Sequence, residues 1–274
     1  MRHKKKYRET AAAIRKNVLF VSHKAGTPHI GSSLSIVDIL TVLYFGVLNV
    51  RAKGHAGFEK RDRLILSKGH AGLALYATLA ERGLLPRKLL NDYSKNGTLL
   101  PAHPVYNLDF GIEATTGSLG HGLPMAVGTA LAAKLNGDHY RTFAILSDGE
   151  CDEGSTWEAV MAATQWRLDN LIVIVDYNKI QSFGRVDEVM DLEPFVDKWR
   201  SFRWAVKEVD GHDTTALEKL FARVPFEKGK PSVVVAHTTK GKGVSFMEDT
   251  VEWHYKNLTD NLLRQAIEEI QSSL

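Results

Sequence analysis

Residues 170–178 read NLIVIVDYN: five consecutive apolar residues, four of them β-branched, then Asp176-Tyr177-Asn178. A strand with one wet face alternates apolar and polar residues. A continuous run marks a strand buried on both faces, the signature of a parallel sheet covered by helices. "PSVVVAHTTKGKG" (231–243) has the same form, and "RTFAILS" (141–147) and "DRLILSKGH" (62–70) are strands of this kind. Between them lie helical stretches at 71–83, stopped by Gly83, at 117–135 after a glycine-rich entry, and at 155–166 with Ser155 as N-cap. "RWAVKEVDGHD" (203–213) is a further strand and turn, and helices are expected at 214–223 and about 258–272. Strand and helix alternate from residue 62 onward, so the expected fold class is α/β, a mostly parallel sheet flanked by helices on both faces. Residues 8–24 and 35–48 read as helices separated by the Gly/Pro break "GTPHIGSSLS" (26–35). Residues 91–116 show no period and are expected to form a long loop. No internal repeat or linker is visible, and the expectation is one domain over 1–274, with a helical segment 1–60 packed on it.

The bulk numbers narrow the function classes. The chain has 274 residues, 44% hydrophobic and 24% charged, within the range of globular proteins. A net charge of +3 does not argue for nucleic acid, and the basic run "MRHKKKYR" (1–8) is expected to be a frayed, solvated terminus. No apolar h-region follows it, and no apolar run approaches the roughly 20 residues of a membrane span. One cysteine, Cys151, leaves no disulfide framework and no multi-cysteine metal site. A cytoplasmic protein is the expectation.

Ligands of open α/β sheets bind beyond the carboxyl ends of the strands. Those ends carry Lys68-Gly69-His70, Asp148-Gly149-Glu150, Asp176-Tyr177-Asn178-Lys179, Asp210-Gly211-His212 and His237 with "TTKGKG". Asp148 and Asn178 each follow a buried strand, 30 positions apart, about one strand–helix–strand unit. A carboxylate and a carboxamide suit a hard cation such as Mg²⁺, which shares oxygen ligands with phosphates. Gly149 permits close backbone approach to a diphosphate, and helix 155–166 would aim its positive end there. The same two residues also suit a helix cap and a turn, and spacing alone leaves both readings open. "GSLGHG" (117–122) is not G-x-G-x-x-G, which disfavours a nicotinamide site. His29, His70, His103 and His254 all lie in Gly- or Pro-bearing loops, where functional residues concentrate.

"SDG" (147–149) followed by Asn178 resembles the thiamine-diphosphate motif, usually Gly-Asp-Gly and then Asn some 25–30 residues on. "TPHIGSSLS", "LSKGHAGLALYATLAERG", "ATTGSLGHGLPMAVGTALA", "SDGECDEGSTWEA", "DYNKIQSFG" and "HTTKGKGVSFMEDTVEWH" are similar to successive blocks of transketolase, in transketolase order, over about residues 20–255. The resemblance covers the diphosphate-binding half of a full-length transketolase. About twenty residues follow Trp253-His254, room for one helix, so the expectation is the N-terminal subunit of a split transketolase. It implies a thiamine-diphosphate-binding fold. It also implies transfer of a two-carbon ketol unit from a ketose to an aldose, on sugar or sugar-phosphate substrates. The implied partner is a separate C-terminal subunit carrying the pyrimidine-binding domain, with self-association to α2β2 and no nucleic acid or membrane. The implied cofactors are thiamine diphosphate and Mg²⁺, with Ca²⁺ or Mn²⁺ as substitutes.

Residue by residue, the resemblance implies that Asp148, Asn178 and the backbone carbonyl of Ile180 hold the metal. Gly149, His70 and His254 would contact the diphosphate, and Gly117 and Leu119 would lie along the cofactor rings. His29, His103 and His254 match histidines around the reacting carbons. Glu153, counted with the cofactor-binding residues, matches an interface glutamate linking the two active sites of the dimer. Glu150 and Asp152 are left to solvent or the helix start. Four positions depart from the family pattern: Ser147 replaces a Gly, Tyr177 an Asn, "TPH" the commoner Ser-Gly-His, and "WHYKN" the more usual His-Gly, which puts Tyr255 near the substrate. The alternatives are another thiamine-diphosphate enzyme subunit, of the deoxyxylulose-phosphate synthase or 2-oxo acid dehydrogenase E1 kind, or a non-catalytic cofactor-binding regulatory subunit. A metal-dependent hydrolase using the acidic loop is a further one.

Overall fold

The structure, a computed structural model, describes residues 2–274, with side chains from Lys5 onward. The continuous apolar run is a strand in the middle of a five-stranded sheet. In chain order the strands are β1 (Arg63–Leu66), β2 (Thr142–Ser147), β3 (Leu171–Tyr177), β4 (Ala205–Asp210) and β5 (Ser232–His237). Their spatial order is β1-β2-β3-β5-β4 and every pairing is parallel. All residues of β2 and β3 are buried. The edge strand β4 is mostly wet and carries Lys207 and Glu208, charges that blunt an open edge.

The two faces of the sheet serve two cores. Phe143, Ile145, Ile172, Ile174 and Val234 point into one. Helices α1 (Arg2–Ala25), α2 (Ile30–Ser35), α3 (Val37–Val42) and α4 (Gly72–Arg82) contribute to that core. Ala144, Leu146, Val173, Val175, Val233 and Val235 point into the other, under α5 (Gly122–Asn136) and α6 (Gly154–Gln165). The four-residue α7 (Val186–Val189) precedes α8 (Phe195–Ser201), which adds Trp199 to the second core. Helices α9 (Thr214–Phe221) and α10 (Asp260–Ser272) complete the first. Burying each such Val, Ile or Leu contributes about 1.5–3 kcal/mol, so the sheet is held from both sides.

Three elements differ from the reading of the sequence. The basic terminus is helical from Arg2, because Tyr7 is buried and its hydroxyl donates to Glu218 at 2.7 Å. The expected helix 35–48 is α3 followed by a π-helical turn at Leu43–Val47, and the expected Gly/Pro break 26–35 holds a helix of its own, α2. Ser35 explains that difference, for its hydroxyl hydrogen-bonds the Ser32 carbonyl at 3.0 Å and Asp176 at 2.7 Å, making a polar helix stable in a buried place. Ser155 is not an N-cap. Helix α6 starts after Glu153, and Ser155 Oγ donates instead to the Gly120 carbonyl at 2.9 Å. Among the described residues no helix is long and apolar enough to cross a membrane.

Candidate active site

Parallel strands bring all five strand ends to one edge, and three of them line one site. There a cavity of about 710 Å³ opens, lined by Lys68 and His70 after β1, Asp148 and Gly149 after β2, and Asn178 and Ile180 after β3. His29, His103, Gly117, Leu119 and His254 close it from loops. Every residue singled out from the sequence as a metal, cofactor or catalytic candidate therefore lines this cavity, except Glu153. Glu153 is exposed beside Gly120, at the start of α6, and does not reach it. The positive end expected from α6 is also displaced. A 3₁₀ turn at Gly149–Asp152 intervenes between Asp148 and that helix.

Asp148 is held rigidly. Its two carboxylate oxygens accept the backbone N–H groups of Gly149 at 2.8 Å and Lys179 at 2.6 Å. Both readings left open for it meet here, since Asp148 caps the 3₁₀ turn and also faces the cavity. Burial, then the nearby charge of Asp176, pushes its pKa up to about 6. The charge of Lys68 offsets this only in part, and a cation beside the carboxylate would favour its ionised form. Asn178 is oriented by Asp176, a carboxylate to which only the amide N–H can donate, at 3.1 Å. Its Oδ1 accepts from the Ile180 N–H at 3.1 Å and keeps a lone pair. The donor set of carboxylate, carboxamide and carbonyl is all oxygen, as Mg²⁺ or Ca²⁺ requires. Among the described residues no group of three or more His, Cys, Asp or Glu is arranged to hold a metal. A six-coordinate ion here would therefore take its remaining ligands from phosphate and water, which is how Mg²⁺ is usually shared. The residues present fit a metal–diphosphate.

The imidazoles converge. The ring of His29 lies 4.9 Å from that of His254, 5.5 Å from His70 and 6.1 Å from His103, centroid to centroid. Burial first, then neighbouring cations and rings, lowers the pKa of His29 to about 4 and of His254 to about 3, and that of His70 well below the usual value. These three rings are neutral at physiological pH, each with one N–H and one bare nitrogen. His29 sits at φ 72°, the left-handed region that a non-glycine residue occupies at a cost of about 1–3 kcal/mol. Its N–H donates to the His254 carbonyl at 2.9 Å, so the two catalytic candidates are tied through the backbone.

Several residues at this edge carry weight that sequence reasoning did not give them. Lys68 is 1% exposed and paired with Asp176, itself fully buried, which also accepts from Ser35, Thr238 and Asn178. Lys240 is equally buried, and its ammonium donates to the carbonyls of Ile180 at 3.1 Å and Gln181 at 3.0 Å and to His254 Nδ1 at 2.9 Å. Burial and the charge of Lys68 lower its pKa to about 8. Both lysines stand in the strand-end runs "SKGH" and "TTKGKG", the only signal that pointed to them. Glu150, expected in solvent or at a helix start, is fully buried. It accepts from Ser67 Oγ and the Gly120 N–H, tying β1 and the 117–121 loop to β2. Asp152 is half-buried and accepts from Gln181 at 2.9 Å.

The family model described as "Transketolase, thiamine diphosphate binding domain" matches residues 7–271. A 6-deoxy-6-sulfo-D-fructose transketolase subunit of a Clostridium species is 43% identical, over 95% of this chain and 94% of its own length. An apulose-4-phosphate transketolase subunit of Phocaeicola vulgatus is 40% identical, over 95% and 92%. Human transketolase is 35% identical, and the alignment spans 97% of this chain but 42% of the human one. The crystal structure of Campylobacter jejuni transketolase superposes with a TM-score of 0.88 at 28% identity, again over 97% of this chain and 42% of that one.

Proposed function

This chain belongs to the transketolase family, and on that premise we propose that it is the N-terminal, thiamine-diphosphate-binding subunit of a split transketolase. It moves a two-carbon ketol unit from a ketose to an aldose, on sugars or sugar phosphates, together with a separate C-terminal subunit carrying the pyrimidine-binding domain. One observation carries the reading: an all-oxygen metal grip and four histidines share one cavity at the strand ends.

In this proposal Asp148, Asn178 and the Ile180 carbonyl hold Mg²⁺, or Ca²⁺ or Mn²⁺ in its place. His70, Gly149 and Lys240 face the diphosphate, and Gly117 and Leu119 lie along the rings. The chemistry supplied by bound thiamine diphosphate is electron withdrawal that lets the C2–C3 bond of a ketose break. The chain's own side chains position the sugar and move protons. His29, His103 and His254 offer ring nitrogens to sugar hydroxyls, and a bare imidazole nitrogen takes the hydroxyl proton released as the C–C bond breaks. Buried Lys68 and Lys240 offset the negative charges of Asp176 and Asp148 at the cavity. Self-association into α2β2 is part of this proposal; α5 exposes Met125 and Leu135, α6 exposes Met161, and exposed Trp166 follows it. Exposed Phe183 and Tyr255 near the cavity suit the partner subunit.

Calorimetric titration of thiamine diphosphate into the assembled subunits tests the metal grip. Binding is expected to require Mg²⁺ and to weaken at least about tenfold in Asp148→Ala. Undiminished binding in that variant would rule out the assigned metal ligand.

A further inference from the structure

The end of β4 contributes nothing to the cavity or its wall. β4 runs into Asp210-Gly211-His212, and His212 lines instead a second cavity of about 610 Å³, together with Arg15 of α1 and Asp38 of α3. Nothing in the proposed chemistry uses these three residues, yet each is largely buried, with side chains 10–14% exposed. His212 Nε2 accepts the Thr239 backbone N–H at 2.8 Å. An amide can only donate, so this nitrogen is bare, and the ring proton sits on Nδ1, 2.8 Å from Asp38 Oδ2. Arg15 Nη2 donates to the same oxygen at 2.6 Å, and Arg15 Nε donates to the Lys242 carbonyl at 3.1 Å.

The three side chains thus grip both ends of residues 239–242. Within that turn the Lys242 N–H donates to the Thr239 carbonyl at 3.2 Å, and the Gly241 N–H to the Gly31 carbonyl at 3.0 Å. Gly241 has φ +81°, and a Cβ there would lie 2.3 Å from the Met247 carbonyl oxygen, so the turn has no freedom to bulge. At its centre is Lys240, whose ammonium is taken out of water to meet Ile180, Gln181 and His254. A buried ammonium gains hydration by withdrawing, so something must hold it in place.

We infer that Arg15, Asp38 and His212 form a positioning relay that keeps Lys240 against the wall of the cofactor cavity, on Ile180, Gln181 and His254, acting through the backbone of residues 239–242. These are positioning residues, since none of them lines the cavity. The effect on cofactor rests on the function proposed above; the effect on the turn does not.

Two measurements test it. The first is amide hydrogen exchange on the cofactor-free chain. His212→Phe keeps bulk and removes the acceptor, whereas His212→Gln keeps an acceptor within reach of Thr239. Thr239 and Gly241 are expected to lose at least about tenfold protection in His212→Phe and to recover most of it in His212→Gln, with β3 unchanged. Asp38→Asn, which leaves Arg15 and His212 without their shared carboxylate, is expected to act in the same direction and serves if His212→Phe does not fold. The second is titration of thiamine diphosphate with Mg²⁺ into the assembled subunits. Affinity is expected to fall about tenfold in His212→Phe but not further when Lys240→Met is already present. Unaltered exchange at the turn, or an equal loss of affinity in the Lys240→Met background, would overturn the relay. If the wild-type assembly binds no cofactor, the proposed function fails, and the exchange measurement alone decides the relay.

Discussion

At the scale of single residues, the histidines give the site a pH signature. His29 and His254 titrate near 4 and 3, below the ordinary 6.5, because burial and then neighbouring rings and cations disfavour their charged forms. A folded-state pKa below the unfolded one contributes stability that is fully present above the unfolded value and is lost as pH falls through the folded value. The cofactor-free chain is therefore expected to lose stability progressively from about pH 6.5 down to 3. His29→Asn should flatten that slope by about 1–2 kcal/mol over the window, reduced from the full shift because the ring is only half-buried. Denaturant unfolding at a series of pH values checks this, and identical slopes would contradict it. The histidines were visible in the sequence because they stand in Gly- and Pro-bearing loops. Glu150 was not, because what buries it is remote: Ser67 is 83 positions away and Gly120 is 30. A carboxylate among three other acids reads as solvated until its distant donors are known. Lys68 and Lys240 escaped attention for the same reason.

At the scale of elements, the sheet was legible because its strands are unbroken apolar runs that suit only a doubly covered position. The long stretch 91–116 was legible as a loop: beyond the end of a 3₁₀ turn at Arg87–Asp92 it carries one isolated bridge, Asn107 to Ile112. Helix α2 was not legible. Gly31 and three serines argue for a break, and the bond that justifies them, Ser35 to Asp176, spans 141 positions. The loops that form the cavity wall also depend on contacts between remote elements. A Cβ on Gly69, after β1, would lie 2.6 Å from the Gly117 nitrogen and 2.7 Å from the Thr116 carbonyl carbon. These are backbone atoms and cannot swing aside. Gly69→Ala is thus expected to destabilise the chain by about 1–3 kcal/mol and to weaken cofactor binding by displacing Gly117. Thermal unfolding and cofactor titration of that variant check the claim, and an unchanged melting temperature would contradict it.

At the scale of the molecule, one parallel sheet with two cores delivers three strand ends to one cavity, backs it with Lys240 after the fourth, and leaves the end of β4 to brace that loop from behind. The chain spans 42% of the human and Campylobacter transketolases but more than nine-tenths of the subunit relatives. The central claim is that the metal–diphosphate grip and the histidines lie on this chain, while the activating half of the site lies on another. The most direct measurement is a ketol-transfer assay with thiamine diphosphate and Mg²⁺, run on the purified chain alone and on the chain mixed with a separate subunit carrying the pyrimidine-binding domain. The account predicts no transfer by the chain alone and transfer by the mixture. Robust transfer by the isolated chain, or none by a mixture that binds the cofactor, would contradict it.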